Sequence, residues 1–168
     1  MDYAREARVR FREVQHMPGW LRLVMWGSAV AMAAGVYFAG LDPKTPDAAK
    51  VALFVALAGV VFTCVALDRM EIVLDDQNLS FGFWLFRAVA PVNRIVSCEP
   101  EKITFWRGGI GIHFTAGAVS YSARYGDGVR IRVEGRRKEW VFSCDDAPRL
   151  IALLKEEMGK HRAGRASG

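Results

Sequence analysis

The fold is decided by residues 23–41, LVMWGSAVAMAAGVYFAGL, which hold 19 consecutive positions without a charged side chain. Residues 51–67, VALFVALAGVVFTCVAL, repeat this pattern over 17 positions. A helix rises about 1.5 Å per residue, so roughly 20 apolar residues cross the hydrocarbon core of a bilayer. Neither stretch has the polar face that a helix on the surface of a soluble protein needs. The sequence therefore predicts two transmembrane helices, at about residues 21–41 and 49–67.

A short loop joins these helices and makes them a hairpin over residues 20–67. The loop, residues 42–47, is DPKTPD. It is so short that it can connect only antiparallel neighbours. Lys and Arg are enriched in the cytoplasmic segments that flank membrane helices. The loop side holds only Lys44 and Lys50, whereas the other side holds Arg5, Arg8, Arg10, Arg12, Arg22 and Arg69. We therefore expect a multi-pass protein of the cell membrane with both termini in the cytoplasm.

The interior of the hairpin indicates an anchor. No Asp, Glu, Lys, Arg or His lies inside either apolar stretch. Proton paths, ion pores and transporters need polar groups within the membrane, so the sequence argues against these functions. It predicts a hairpin that holds the rest of the chain at the bilayer.

Residues 1–19 form a basic amphipathic segment. Ala4, Ala7, Phe11 and Val14 share one face of a helix, and arginines flank that face. Such a juxtamembrane segment can lie in the headgroup plane and bind anionic lipid through Arg5, Arg8 and Arg12. The alternative is a solvated helix that only leads into the membrane.

After residue 67 the apolar residues alternate, which is typical of strands. Val129, Ile131 and Val133 alternate with charged side chains and predict a half-buried strand, paired with residues 139–143. A helix follows, with Asp145 or Asp146 as its N-cap and Gly159 at its end, before a disordered basic tail at residues 159–168. About seven or eight short antiparallel strands capped by one helix describe a pleckstrin-homology-like (PH-like) barrel over residues 68–158. The predicted fold class is thus an α+β membrane protein with a transmembrane hairpin, a small antiparallel PH-like β-barrel and a C-terminal α-helix.

Several short motifs carry a resemblance. They are FREVQ at residues 11–15, FWRGGIGI at 105–112, Tyr121, GDGVRI at 126–131 and DDAP at 145–148. Together with the two apolar stretches, they resemble a family of uncharacterised bacterial and archaeal membrane proteins with a PH-like domain. The resemblance implies a fold and a membrane anchor, and no activity.

Residues with catalytic or ligand-binding chemistry are sparse. No Cys or carboxylate stands at ligand spacing from His16, His113 or His161, so we expect no metal and no cofactor. Cys64, Cys98 and Cys144 are expected to be reduced, buried side chains, and pairing of Cys98 or Cys144 with His113 is the alternative. A strand rather than a helix follows the glycines near residue 110, which predicts a structural turn instead of a phosphate loop. That turn comprises Trp106, Gly108, Gly109 and Gly111.

Two sets of side chains are candidates for binding. Residues 79–86, LSFGFWLF, are apolar on both faces of a strand, so we expect the core to cover one face and the membrane, a protein partner or a second copy to cover the other. The docking candidates are Phe81, Phe83, Trp84 and Phe86. Loop cations add candidate anionic-lipid contacts to the N-terminal arginines, namely Arg87, Arg136, Arg137 and Lys138. The basic residues are interleaved with acidic ones, which argues against a nucleic-acid partner.

The function expected from these patterns is a non-enzymatic, membrane-anchored module for protein interaction or scaffolding at the cytoplasmic face. We expect no catalytic residue in the chain. Two alternatives remain open at this point. One is a sensor of anionic lipid, and the other is an accessory subunit of a membrane enzyme complex.

Overall fold

The computed structural model describes residues 9–104 and 109–166 and divides the chain into two compact units. The hairpin unit, Met17–Asp68, holds helices α1 (Gly19–Leu41) and α2 (Asp47–Leu67). The strand unit comprises the described residues on either side of the hairpin unit. Its strands are β1 (Phe11–His16), β2 (Arg69–Leu74), β3 (Asn78–Phe83), β4 (Phe86–Pro91), β5 (Ile95–Ile103), β6 (Gly111–Phe114), β7 (Ala118–Ser122), β8 (Gly126–Val133) and β9 (Glu139–Ser143). A single 3₁₀ turn (Val92–Arg94) precedes β5, and helix α3 (Ala147–Ala166) completes this unit.

The hairpin unit agrees with the predicted pair of helices. Both α1 and α2 are long and apolar enough to cross a membrane. Each begins directly after a proline, Pro18 or Pro46. Proline is tolerated at the start of a helix because an amide hydrogen there would have no partner within the helix. Where α1 begins and α2 ends, the Arg22 Nε atom lies 2.7 Å from the Asp68 Oδ1 atom. This ion pair joins the start of α1 to the end of α2 and confirms the antiparallel hairpin.

Two sheets form the strand unit. The first sheet has the antiparallel order β1-β2-β3-β4, and the second has the order β5-β8-β9-β7-β6. Phe81 of the first sheet stacks on Phe142 of the second with ring centroids 4.3 Å apart. Helix α3 packs on β5 and β8 through Leu150 and Leu154, which are fully buried. The apolar core of this unit therefore lies between the sheets and under α3.

The α+β class is confirmed, but the strands differ from the predicted antiparallel barrel. Within residues 9–104 and 109–166 the strands make two separate sheets, and β7 pairs with β9 in parallel. The longest strand, β5, runs without a break from Ile95 to Ile103. Pro100 interrupted the pattern in the sequence, yet β5 is an edge strand, where a proline costs no ladder hydrogen bond.

In the predicted N-terminal helix, the described residues Phe11–His16 form a strand instead. Phe11 and Gln15 of β1 are buried, whereas Arg12, Val14 and His16 point outward, which is the period of a strand. Phe11 and Val14 also fit a helical face, so the local pattern did not decide. Pairing of β1 with β2, from Phe11↔Leu74 to His16↔Arg69, decides it. Arg5 and Arg8 lie outside the described residues.

Helix α3 starts as predicted and ends later. Asp146 is the N-cap, because its Oδ1 atom accepts a hydrogen bond from the Arg149 amide at 3.4 Å. Leu150, Ile151, Leu154 and Met158 form the apolar face of this helix and are all buried. Gly159 does not end the helix, which continues to Ala166. A glycine is tolerated inside a helix at a cost of about 1 kcal/mol, and the next residue, Lys160, pairs with Glu156 and Glu157 within the same helix.

We expect Gly82→Ala to destabilise the strand unit by about 2–3 kcal/mol, since strained backbone positions cost on the order of 1–3 kcal/mol each. The φ angle of Gly82 is +135°, and a Cβ atom there would lie only 2.2 Å from the Phe86 carbonyl oxygen. Urea unfolding of the full chain in detergent measures the effect. Gly117→Ala is the control, because a Cβ atom at Gly117 meets nothing within 4 Å. Equal stability of the two variants would contradict the prediction.

Candidate functional site

The turn between β3 and β4 exposes three consecutive large apolar side chains. Phe83 pairs with Phe86 across the two strands, so Trp84 and Leu85 form a two-residue turn. The exposed fractions are 65% for Trp84, 48% for Leu85 and 46% for Phe86. We call these three residues the aromatic tip. Contiguous exposed apolar side chains of this size are typical of an interaction surface.

The predicted docking set is divided by the structure. Trp84 and Phe86 are exposed, as docking requires, whereas Phe81 and Phe83 are fully buried. Phe81 lies in an aromatic cluster, 5.5 Å from Tyr121 and 5.4 Å from Trp140 between ring centroids. The prediction is therefore wrong for Phe81 and Phe83, which form part of the core.

Three arginines surround one carboxylate on the outer face of the first sheet. The Nη2 atom of Arg12 lies 2.7 Å from Glu71 Oε1, and the Nη2 atom of Arg69 lies 3.9 Å from the same oxygen. Arg87 donates a hydrogen bond to Glu71 Oε2. We call Arg12, Arg69 and Arg87, with Glu71, the arginine cluster. It joins two predicted lipid contacts, Arg12 and Arg87, to two residues that the sequence analysis missed.

The sheet register explains how these residues meet. Glu71 of β2 pairs with Gly82 of β3, which in turn pairs with Arg87 of β4. Because Gly82 has no side chain, the guanidinium of Arg87 crosses β3 and reaches Glu71. On the other side, β1 places Arg12 beside β2. The one sign of this cluster in the sequence is Gly82, a glycine within a strand. It indicates a contact between Glu71 and Arg87 only once the strand pairing is known.

The charges of the arginine cluster do not cancel. Burial opposes ionisation of Glu71, but hydrogen bonds and charge from Arg12 and Arg87 outweigh it and lower the pKa of Glu71. The ionised carboxylate balances one of three guanidinium charges, which leaves a surplus of two positive charges. All three arginine side chains remain about half exposed. They can therefore accept a further anionic partner from solution or from a surface.

The other predicted lipid contacts lie in the second sheet. Arg136, Arg137 and Lys138 follow β8 in the loop before β9. The guanidinium of Arg136 stacks on Trp140 at 4.1 Å from the ring centroid, which gives it a packing role. Arg137 lines a shallow polar groove together with Arg130 and Arg132, but Arg130 is already bound by Glu101 and Glu139. The structure thus does not join this loop to the arginine cluster.

The predicted glycine turn is described only in part. Trp106 and Gly108 lie outside the described residues. Gly109 and Gly111 have φ angles of +64° and +113°, which agree with a turn. A ring nitrogen of His113, Nε2, lies 3.0 Å from the Ile110 carbonyl oxygen and closes this turn.

A buried polar network that the sequence analysis missed connects β1 to the start of α3. The Nε2 atom of Gln15 donates to Glu13 at 2.6 Å and to Asp145 at 2.9 Å. The Oε1 atom of Gln15 accepts a hydrogen bond from the Ser143 hydroxyl at 2.5 Å. Glu13 also accepts from the Asp145 amide at 2.8 Å. These contacts hold the N-terminal strand in the unit, which is a structural role.

The cysteines of the strand unit are poor nucleophiles. Burial raises the pKa of the Cys98 thiol. Burial, reinforced by the charge and hydrogen bond of Glu13, raises the pKa of the Cys144 thiol further. A thiol that stays protonated does not attack. In the described residues Cys144 donates to Glu13, His113 bonds to Ile110, and no three potential metal ligands lie together.

We expect Phe81→Ala to destabilise the strand unit strongly and Trp84→Ala to change its stability little. Loss of a buried phenylalanine costs about 3–5 kcal/mol, whereas truncation of an exposed side chain costs about 0.5 kcal/mol or less. Urea unfolding of the full chain in detergent, followed by the aromatic circular dichroism of the strand unit, measures both. A large loss of stability in Trp84→Ala would show that the aromatic tip is part of the core.

We expect Glu71→Gln to lower the free energy of unfolding at neutral pH by about 1–3 kcal/mol, because it removes charge-assisted hydrogen bonds. The folded pKa of Glu71 is lowered, so its contribution is full above its ordinary pKa of about 4.3 and is lost as pH falls through the folded value. Stability measured from pH 7 downward should therefore decrease less steeply in Glu71→Gln than in the wild type. The exposed Glu99 provides the control Glu99→Gln, and parallel acid profiles for all three proteins would contradict the prediction.

Comparisons with protein-family models, with curated proteins and with solved structures give no match for this chain. Its function is therefore argued from the two apolar helices, the aromatic tip and the arginine cluster.

Proposed function

We propose that the chain is a non-enzymatic, membrane-anchored interaction module whose strand unit is held at the cytoplasmic face of the cell membrane. The observation that carries this proposal is the surface of the hairpin unit. Leu23 of α1 is 76% exposed, Phe38 of α1 is 67% exposed and Phe54 of α2 is 64% exposed. Lipid solvates such surfaces without cost, whereas water does not.

The orientation with both termini in the cytoplasm has two supports. The sheet pairing of His16 with Arg69 requires the residues before α1 and after α2 to lie on one side of the bilayer. That side carries Arg10, Arg12, Arg22 and Arg69, whereas the loop side carries Lys44 and Lys50. Trp20 and Trp26 at the start of α1 suit the inner interface, where aromatic side chains are enriched.

A PH-like relationship remains part of this proposal. The sequence motifs support it, and so does the order of a strand-rich unit followed by a C-terminal helix. The absence of an enzymatic role is proposed from the roles of the polar groups that the structure describes. Gln15 and Ser143 serve the buried network, and the thiols of Cys98 and Cys144 remain protonated.

The aromatic tip is the docking surface of the proposed module, since it presents Trp84 and Phe86 without cost to the core. A protein partner or a second copy of the chain is the first candidate for the occupant. Recognition of anionic lipid is the second candidate function, and the arginine cluster favours it because three guanidinium groups surround one carboxylate. An accessory role in a membrane enzyme complex would use the same docking surface.

The anchor and its orientation are tested with reporters. We expect a reporter fused to the C-terminus to be active only in the cytoplasm, and one inserted at Lys44 only on the opposite side, because both helices cross the bilayer. Alkaline carbonate should leave the chain in the membrane fraction. A deletion of residues 19–67 is the control for extraction, and release of the full chain by carbonate would overturn the proposed anchor.

A further inference from the structure

One end of the first sheet, where β1 and β3 finish and β2 begins, brings together the aromatic tip and both connections to the hairpin unit. His16 pairs with Arg69, and Met70 pairs with Phe83. The end of β1, the start of β2 and the β3–β4 turn therefore lie at the same end of the sheet. Only Met17 and Pro18 separate β1 from α1, and only Asp68 separates α2 from β2. If the helices cross a bilayer, these short connections keep the end of β1 and the start of β2 within about 10 Å of the helix ends.

We propose that the aromatic tip inserts into the headgroup region of the bilayer that the hairpin spans, while the arginine cluster binds phosphates of anionic lipid. This inference rests on the proposed membrane anchor. Trp84 has the amphipathic ring that favours the membrane interface. Arginine binds phosphate oxygens through two parallel hydrogen bonds, which suits a headgroup that lies beside the inserted ring.

Charge is the argument for a lipid surface over a protein. Arg12, Arg69 and Arg87 leave two positive charges uncompensated by Glu71. The cytoplasmic leaflet carries a negative potential that attracts exposed basic side chains within about 10 Å. Glu71 fixes the guanidinium groups on one face, and their exposed sides remain available to the bilayer.

A fluorescent label at residue 85 tests the position of the tip. The full chain with Leu85→Cys is labelled with an environment-sensitive dye and placed, one copy per disc, in lipid nanodiscs. Native Cys64, Cys98 and Cys144 are buried, so the dye reacts at residue 85. Phe114→Cys is the control, because Phe114 is also exposed but lies on β6 of the second sheet.

We expect the dye at residue 85 to shift to the blue and to be quenched by spin-labelled lipid when phosphatidylglycerol is present. In discs of phosphatidylcholine alone, or at high salt, both effects should weaken because the attraction to the arginine cluster is lost or screened. The dye at residue 114 should report water under every condition.

Arg69→Gln provides a matched test of the charge. Arg69 lies 3.9 Å from Glu71, and Arg132 of the second sheet lies at a similar 4.0 Å from Glu139. Each variant loses one exposed positive charge and no short ion pair. Arg69→Gln should reduce the ratio of inserted to free tip by up to about fivefold, whereas Arg132→Gln should leave the ratio unchanged.

The remaining outcomes separate this inference from the proposed anchor. A chain that enters nanodiscs but keeps the dye at residue 85 in water overturns the inference alone. Insertion that ignores phosphatidylglycerol, or burial of the dye only in discs with two copies, also overturns it and assigns the tip to neutral lipid or to a second copy. A chain that does not enter nanodiscs overturns both proposals.

Discussion

The pairing of β1 with β2 is the constraint on which the rest of the structure depends. The two strands lie on either side of the hairpin in sequence, yet they match over their full length from Phe11↔Leu74 to His16↔Arg69. Because they pair, the chain must leave the strand unit and return to it at the same end of the first sheet. Antiparallel helices with a short loop are the simplest connection that satisfies this, and the Arg22–Asp68 ion pair closes the helix ends.

The same pairing builds both polar features of the strand unit. One face of β1 directs Gln15 to Ser143 and joins the strand to the start of α3. The other face directs Arg12 to Glu71, where Arg87 arrives from the opposite side across Gly82. A single N-terminal strand thus contributes to the buried network and to the exposed arginine cluster. Without β1, Glu71 would lose one of its two short ion pairs, and the first sheet would lose an edge strand.

Sequence reasoning identified the elements whose pattern is long or unambiguous. The two apolar stretches are long and uninterrupted, which indicates helices, and the Val129–Ile131–Val133 alternation fits a strand. It did not identify β1, because the spacing of Phe11 and Val14 also fits a helix. The strand forms through pairing with β2, which is distant in sequence. The buried and exposed halves of LSFGFWLF were not separated for a related reason. Phe81 and Phe83 follow the strand period into the core, and the turn at Trp84 ends that period.

The arginine cluster was the least predictable feature, since it comes from separate segments. Arg12, Glu71 and Arg87 lie on three different strands, and only the register places them in one group. Gly82 connects the cluster to the aromatic tip. Its positive φ shapes the chain just before the turn, and its missing side chain opens the path from Arg87 to Glu71. The aromatic tip and the arginine cluster therefore depend on the same backbone position, so one substitution at Gly82 would disturb both.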